Sequence, residues 1–160
     1  MAAFTIRNTL QPGDLSQVAL LHGRIYAKEQ GFGIGFEIYV MESLVEFYRQ
    51  YDPELDKVWI VESEGSMVGF LLLMHRPNNQ AQLRYFVLEE AFRGKGIGKR
   101  LVQEWMDFYR EKGYKGAYLY TTSGLDSAAY LYEGMGFRKV SEKASEDFGV
   151  LLHEIRYELY

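Results

Sequence analysis

The sequence predicts a single α+β domain built on a mostly antiparallel sheet, with about seven strands and about four helices. Three observations carry that reading. Apolar strand patterns at Val58–Glu62, Met67–His75 and Gln82–Leu88 follow one another with only turn residues between them, which reads as a meander. Two helical patterns precede it, and a third follows it directly behind a glycine-rich turn. No repeat, low-complexity tract or linker divides the chain, so residues 1–160 read as one unit.

The elements follow in order. Phe4–Arg7 is a short strand, broken by Pro12-Gly13. Asp14 is placed to cap a helix over Leu15–Glu29, with Gln17 three residues on, close to a capping box. Leu15, Val18, Leu21, His22, Ile25 and Tyr26 form one face of that helix. Gly31, Gly33 and Gly35 read as a flexible loop, with a second helix from about Glu37. Phe36, Val40, Leu44, Phe47 and Tyr51 recur at helical spacing, and Asp52-Pro53 stops the helix. Glu64-Gly65-Ser66 turns the first hairpin, and Arg76–Asn79 turns the second. Ile97, Leu101, Trp105 and Phe108 mark a helix ending at Gly113. Ala117–Thr121 is a strand and Ser127–Glu133 a short helix. Phe137–Val140 and Leu151–Leu159 are the last strands, joined by a polar link.

Composition excludes several function classes. A net charge of −4 argues against broad nucleic-acid binding, which needs a basic face. The absence of cysteine excludes disulfides, thiolate metal sites and a cysteine nucleophile, and it fits a reducing, cytoplasmic setting. Three scattered histidines offer no metal-ligand spacing. The N-terminal stretch lacks the pattern of a signal peptide, and the longest apolar run, Val68–Met74, is strand-sized. Thirteen tyrosines and ten phenylalanines point to a lined pocket, an interface or an aromatic core.

The chemistry concentrates in Leu83–Arg100, where a strand feeds Arg93-Gly94-Lys95-Gly96-Ile97-Gly98 and then a helix. A helix start offers unpaired N–H groups and favours negative charge, so this is a place for a phosphate. A P-loop would need glycine at Arg93 and Ser or Thr at Arg100; a dinucleotide loop would need glycine at Lys99. Both fail. The pattern that fits is Arg/Gln-x-x-Gly-x-Gly/Ala, through Arg93, Gly96 and Gly98.

That loop resembles the pyrophosphate loop of the GNAT superfamily, the Gcn5-related N-acetyltransferases. A second stretch, Leu131-Tyr132-Glu133-Gly134-Met135-Gly136-Phe137, is similar to the family's Leu-Tyr-Glu-x-x-Gly-Phe segment. Beyond these motifs, Ala81–Phe86, His22 with Tyr26 and Glu29, and Phe148-Gly149 look like the acetyltransferase half of MarR–acetyltransferase fusions. The sequence has no counterpart of their winged-helix half. The resemblance implies a GNAT fold, with a mixed sheet split between strands four and five. It implies acetyl-CoA as donor, held by Phe86, Val87, Leu88, Arg93, Gly94, Lys95, Gly96, Ile97, Gly98 and Lys99. Lys95, Lys99 and Arg100 add positive charge there. Tyr132 matches the tyrosine that donates to the departing thiolate. Many family members carry Asn where this chain has Leu125, so that contact is not carried over, and backbone or Ser123 is left to replace it.

For the acceptor side the reading stays open. His22, Tyr26 and Glu29 share one helix face, either as a pocket wall or as a structural trio. His22 or Glu29 is placed to accept the amine's proton, and Glu37 is a further candidate. Tyr26, Glu37 and Tyr120 are expected at the substrate, with Tyr85 behind Tyr120 because a strand alternates. The expected reaction is direct transfer to a primary amine, since no cysteine can carry an acyl group. A small amine comes first as acceptor, and a protein lysine or N-terminus second. The acidic balance favours a cation. The rivals are a non-catalytic acyl-CoA sensor and a DNA-binding regulator. No nucleic-acid or membrane partner is expected; a homodimer is what the resemblance implies.

Overall fold

The computed structural model describes residues 3–160; Met1 and Ala2, at the head of the stretch read for a signal peptide, lie outside it. The strands are β1 (Thr5–Arg7), β2 (Lys57–Ser63), β3 (Ser66–Arg76), β4 (Gln80–Leu88), β5 (Gly116–Thr122), β6 (Arg138–Ser145) and β7 (Leu152–Leu159). The helices are α1 (Asp14–Gln30), α2 (Ile34–Arg49), α3 (Ile97–Glu111) and α4 (Asp126–Gly134). They build one mixed sheet in the order β1-β2-β3-β4-β5-β7-β6, in which the β4–β5 pair is parallel. This is the α+β architecture expected from the meander and its flanking helices.

Both faces of the central strands are covered, so β2 and β3 read as almost continuous apolar runs. Alternation sorts them. Val58, Ile60, Phe70 and Leu72 pack under α1 and α2 with Val18, Leu44 and Phe47. Trp59, Val61, Leu71 and Leu73 pack under α3 and α4 with Leu101, Trp105 and Phe137. The fully buried Trp105 keeps its polar atom satisfied by donating from Nε1 to Leu72 O at 3.1 Å.

Two irregularities open the sheet. β4 pairs with β5 only at Gln80, Ala81 and Gln82, and from Leu83 onward that edge has no partner strand among the described residues. Immediately beyond, β4 is bulged. Arg84 faces Leu72 and Val87 faces Phe70, so Tyr85 and Phe86 stand opposite the single residue Leu71. Tyr85 takes a positive φ of 61°, which is strained for an aromatic residue.

Four local expectations are corrected. Asp14 does not cap α1: Gly13 occupies that position, and the Asp14 carboxylate is gripped by Arg7 at 2.8 and 2.9 Å and by the Gln11 N–H. The 31–35 glycine stretch is not one flexible loop, because α2 already starts at Ile34. Its glycines form a seat for the turn before β7: Gly33 N–H donates to Phe148 O at 2.8 Å, and a Cβ on Gly35 would stand 3.3 Å from Asp147 O. Glu37 therefore follows no mobile loop; it lies in the first turn of α2. The polar segment after Val140 is a link only from 146 to 151; Ser141 to Ser145 complete β6, an edge strand exposed along most of its length.

Candidate active site

The open edge of β4 and the start of α3 frame a cleft of about 710 Å³. Phe86, Val87 and Leu88 line it from the strand. Arg93, Gly94, Gly96, Gly98 and Lys99 line it from the loop, and Leu125–Ala128 and Leu131 from α4. Among the described residues, the amides of Gly94 to Lys99 have no hydrogen-bond acceptor in the protein. Gly94 and Gly96 have positive φ of 71° and 84°, and a Cβ on either would meet nothing within 4 Å. They are glycines for conformation. Gly98 differs: its Cβ would come within 3.3 Å of the Phe86 ring and 3.6 Å of Leu131, so it is glycine for close helix–strand packing. A run of unpaired amides at a helix start beside an apolar trough is what a diphosphate with a long uncharged arm requires. The residues present therefore fit the expected cofactor.

The loop residues are not equivalent. Arg93 donates from Nε to Leu88 O at 2.8 Å, and its two terminal nitrogens chelate Glu29 at 2.8 and 3.0 Å. It braces the end of β4 against the last turn of α1, with its charge already matched. Arg100 is likewise paired, to Glu104 at 2.8 Å. Lys99 stands in the cleft; Lys95 and Ile97 line neither cavity. Ile97 points into the core, leaving its backbone as what it can offer. Ser123, offered in place of the missing Asn, lines neither cavity, and its hydroxyl accepts from the His153 N–H at 3.0 Å.

A second, smaller cavity of about 130 Å³ lies between α1, α2, the bulge of β4, and β5 and β7. Tyr26, Phe86, Leu125 and Ala128 line both cavities, so the two spaces share a wall. Tyr132 stands on the smaller one. It is 5% exposed, its ring centroid is 6.2 Å from that of Phe86, and its hydroxyl has no hydrogen-bond partner among the described residues. Burial, with the nearby Tyr26 and Tyr157, pushes its phenol far above the usual range, so it stays a donor.

His22 and Tyr26 also wall this cavity. His22 Nδ1–H donates to Val18 O at 2.8 Å, which leaves Nε2 as the bare acceptor of the neutral ring. Burial holds that imidazole down at about 4, against the opposing effect of the Val18 bond. Burial likewise raises the Tyr26 phenol to about 12. Glu29 shares their helix face, as the spacing indicated, but lies a turn further on, in the larger cleft and held by Arg93. Glu37 lines neither cavity; its carboxylate lies against Gly23, where an added Cβ would stand 2.6 Å from Oε1. Tyr120 lines the smaller cavity and is 55% exposed, its hydroxyl accepting from Arg156 at 2.6 Å.

The rule that strand neighbours alternate misjudged Tyr85. The bulge turns both Arg84 and Tyr85 toward α2: Tyr85 OH donates to Ser43 Oγ, and Arg84 reaches Tyr39 OH at 3.3 Å. Sequence reasoning also missed Asp126 and Ser127 in the cleft, and Thr122 and Glu154 in the smaller cavity. Glu154 alternates in phase with the buried Leu152, but only the strand order reveals that this face meets a cavity rather than water.

A glycine loop of free amides, a split sheet and a tyrosine at the shared wall are accompanied by a match of residues 24–137 to the acetyltransferase (GNAT) family. The chain belongs to that family. It is 36% identical over 101 residues to an uncharacterized N-acetyltransferase, YjgM, of Escherichia coli K12, a stretch covering 61% of this chain and 60% of that one. The chain thus spans less than two thirds of that curated relative. Among solved structures, a GNAT-family acetyltransferase of Staphylococcus aureus Mu50 superposes with a TM-score of 0.75 at 21% identity, covering 98% of each chain. A streptothricin acetyltransferase of Bacillus anthracis in complex with acetyl coenzyme A gives 0.58 at 21% identity, over 71% of this chain and 67% of that one. At such identities these structures establish the shared fold. No helix of this GNAT chain is long and apolar enough to cross a membrane, and no group of three or more His, Cys, Asp or Glu is placed to hold a metal, both among the described residues.

Proposed function

We propose that this GNAT domain, read as one unit over residues 1–160, moves an acetyl group from acetyl-CoA directly to a primary amine. The observation that carries the reading is the shared wall. The cleft with the free amides and the cavity holding Tyr132 meet at Tyr26, Phe86, Leu125 and Ala128. A thioester held in the cleft can then meet an amine held in the cavity. The amine nitrogen forms a bond to the thioester carbon and the C–S bond breaks. Starting from an ammonium, two protons leave the nitrogen; one ends on sulfur and one in solvent. Tyr132, kept protonated by burial, donates a hydrogen bond to the sulfur as it gains charge.

A small-molecule amine is the preferred acceptor, with a protein lysine or N-terminus as the alternative. Of the residues that carry the likeness to the MarR-fused acetyltransferases, Arg84, Tyr85, Phe86, His22, Tyr26 and Phe148 line the acceptor cavity and Glu29 the larger cleft. A net charge of −4 supports the absence of a nucleic-acid partner, and the lack of cysteine supports a cytoplasmic setting. Self-association into a homodimer is supported by an exposed stripe on α2, Ile34, Ile38, Met41, Val45 and Tyr48, at helical spacing.

The test is thiol release from acetyl-CoA with a panel of small amines, a lysine-containing peptide and a free peptide N-terminus. Turnover on a small amine, reduced in Tyr132→Phe, is the expected result. Tight coenzyme A binding with no turnover on any amine would instead establish an acyl-CoA sensor.

A further inference from the structure

We propose that the acceptor is a free amino acid, held by both of its charges between Glu154 and Arg84. This rests on the amine-acetylation reading above and deepens it.

Two polar atoms are buried without any hydrogen-bond partner among the described residues: Thr122 Oγ1 and Glu154 Oε2. They are directly opposed across the β5–β7 pair, and both line the acceptor cavity. Two neighbouring orphans on one cavity wall need a partner from outside the chain. The next cation along the same face of β7 is not that partner. Arg156 donates from Nε to Glu158 at 2.7 Å and from a terminal nitrogen to Tyr120 OH, and it lies over the Tyr118 ring at 4.2 Å. Lys143, directly opposite Glu154 in the β6–β7 register, forms no ion pair with it among the described residues, so Glu154 is left to an external cation, with the Thr122 hydroxyl beside it as a second acceptor. The cavity is otherwise walled by aromatic rings, whose faces also attract an ammonium.

The opposite charge stands on the β4 wall. The bulge brings Arg84 into the cavity, where Tyr39 OH and the Tyr85 ring, 5.0 Å from its guanidinium carbon, hold it. Among the described residues Arg84 has no carboxylate partner. A guanidinium fork suits a carboxylate in two-point contact. One free anion and one free cation in a cavity of about 130 Å³ match a zwitterion of modest size. A cavity only slightly larger accommodates benzene. A protein lysine offers an ammonium on an uncharged stem and gives Arg84 nothing to bind. A simple alkylamine does the same.

The experiment titrates coenzyme A-saturated protein by calorimetry with matched pairs: alanine and ethylamine, phenylalanine and phenethylamine, tyrosine and tyramine. At least one amino acid is expected to bind tenfold to a hundredfold tighter than its decarboxylated partner. Arg84→Met should abolish that preference, and Glu154→Gln should weaken both members of the pair. Retained coenzyme A affinity shows that each variant is folded. Equal binding within every pair, or a preference that survives Arg84→Met, overturns the inference. Because this readout needs no turnover, it separates from the reading it rests on. Amino acids that bind without thiol release would refute the acetylation reading alone. Thiol release on plain amines with no preference would refute the amino-acid inference alone.

Discussion

Replacing Glu29 by Gln distinguishes a brace from a base. In the structure Glu29 holds both terminal nitrogens of Arg93, and Arg93 in turn holds Leu88 O. The two side chains are 30% and 40% exposed, so solvent screens the pair. Its loss should lower stability by about 0.5–1 kcal/mol, since a glutamine still accepts one of the two bonds. The melting temperature should fall by roughly 1–4 °C. The larger effect is electrostatic. Arg93 lines the cleft, and Glu29 cancels its charge next to the amides of Gly94 to Lys99. With Glu29 neutral, the guanidinium is free to act on a diphosphate. A charge-assisted bond is worth about 1.5–3 kcal/mol when buried; screened at this exposure it should give about 1 kcal/mol, or roughly a fivefold lower KM for acetyl-CoA. The kcat should stay within about twofold, because a group facing the cofactor cleft does not touch the acceptor nitrogen. Steady-state thiol release at varied acetyl-CoA, followed from pH 6 to 9, measures both. A kcat loss of about 10²-fold or more, with disappearance of the acidic limb of the pH profile, would refute the reasoning and make Glu29 the base.

Three other outcomes are expected. Tyr132→Phe removes a hydroxyl with no protein partner among the described residues; kcat should drop by roughly 10²–10³-fold with the melting temperature unchanged to within about 2 °C, measured by thiol release and calorimetry. Gly96→Val imposes a branched side chain on a φ of 84°; coenzyme A affinity should fall at least tenfold, and stability by about 1–2 kcal/mol, read by calorimetry and urea unfolding. His22 titrates near 4 when folded and at 6.5 when unfolded, so the unfolded chain takes up a proton first. Stability from this group is full above 6.5 and declines as pH falls toward about 4, by up to about 3 kcal/mol. Urea unfolding at stepped pH should show that slope in the wild type and a flatter one in His22→Phe.

Much of the architecture was legible because it rests on periodicity. The meander, the stripe of α3 and the face of α1 follow from alternation and helical spacing, and β2, β3 and α3 lie where those periods place them. The glycine loop was legible for a similar reason: its chemistry belongs to the backbone, and only glycine at Gly94 and Gly96 permits the conformation. Side-chain sites depend on which strands become neighbours, and that is not periodic. Asp14 looked like a cap because Ser, Asp and Asn ordinarily cap, yet Arg7, a strand away, outbids the helix for its carboxylate. Glu29 looked like part of a pocket because it shares a face with His22, but a face two turns long passes two different cavities. Thr122 and Glu154 lie 32 positions apart in the sequence, and only the β5–β7 register brings them together.

One inserted residue in β4 accounts for the side-chain directions that strict alternation misjudged there. The bulge lies at Tyr85 and Phe86, three residues past Gln82, the last β4 residue paired with β5, and bulged strands bend and twist away from their neighbours. The unpaired edge of β4 borders the larger cleft. The same extra residue resets the alternation, so Arg84 and Tyr85 both turn to α2 while Phe86 faces Gly98. A regular strand would send Tyr85 to the α3 side and close the gap against β5. The strained φ of Tyr85 is sustained by its buried ring, edge-on to His22 at 5.8 Å, and by its bond to Ser43. The larger cleft and the β4 wall of the smaller cavity therefore both depend on one backbone irregularity, and a substitution that straightens β4 should damage both together.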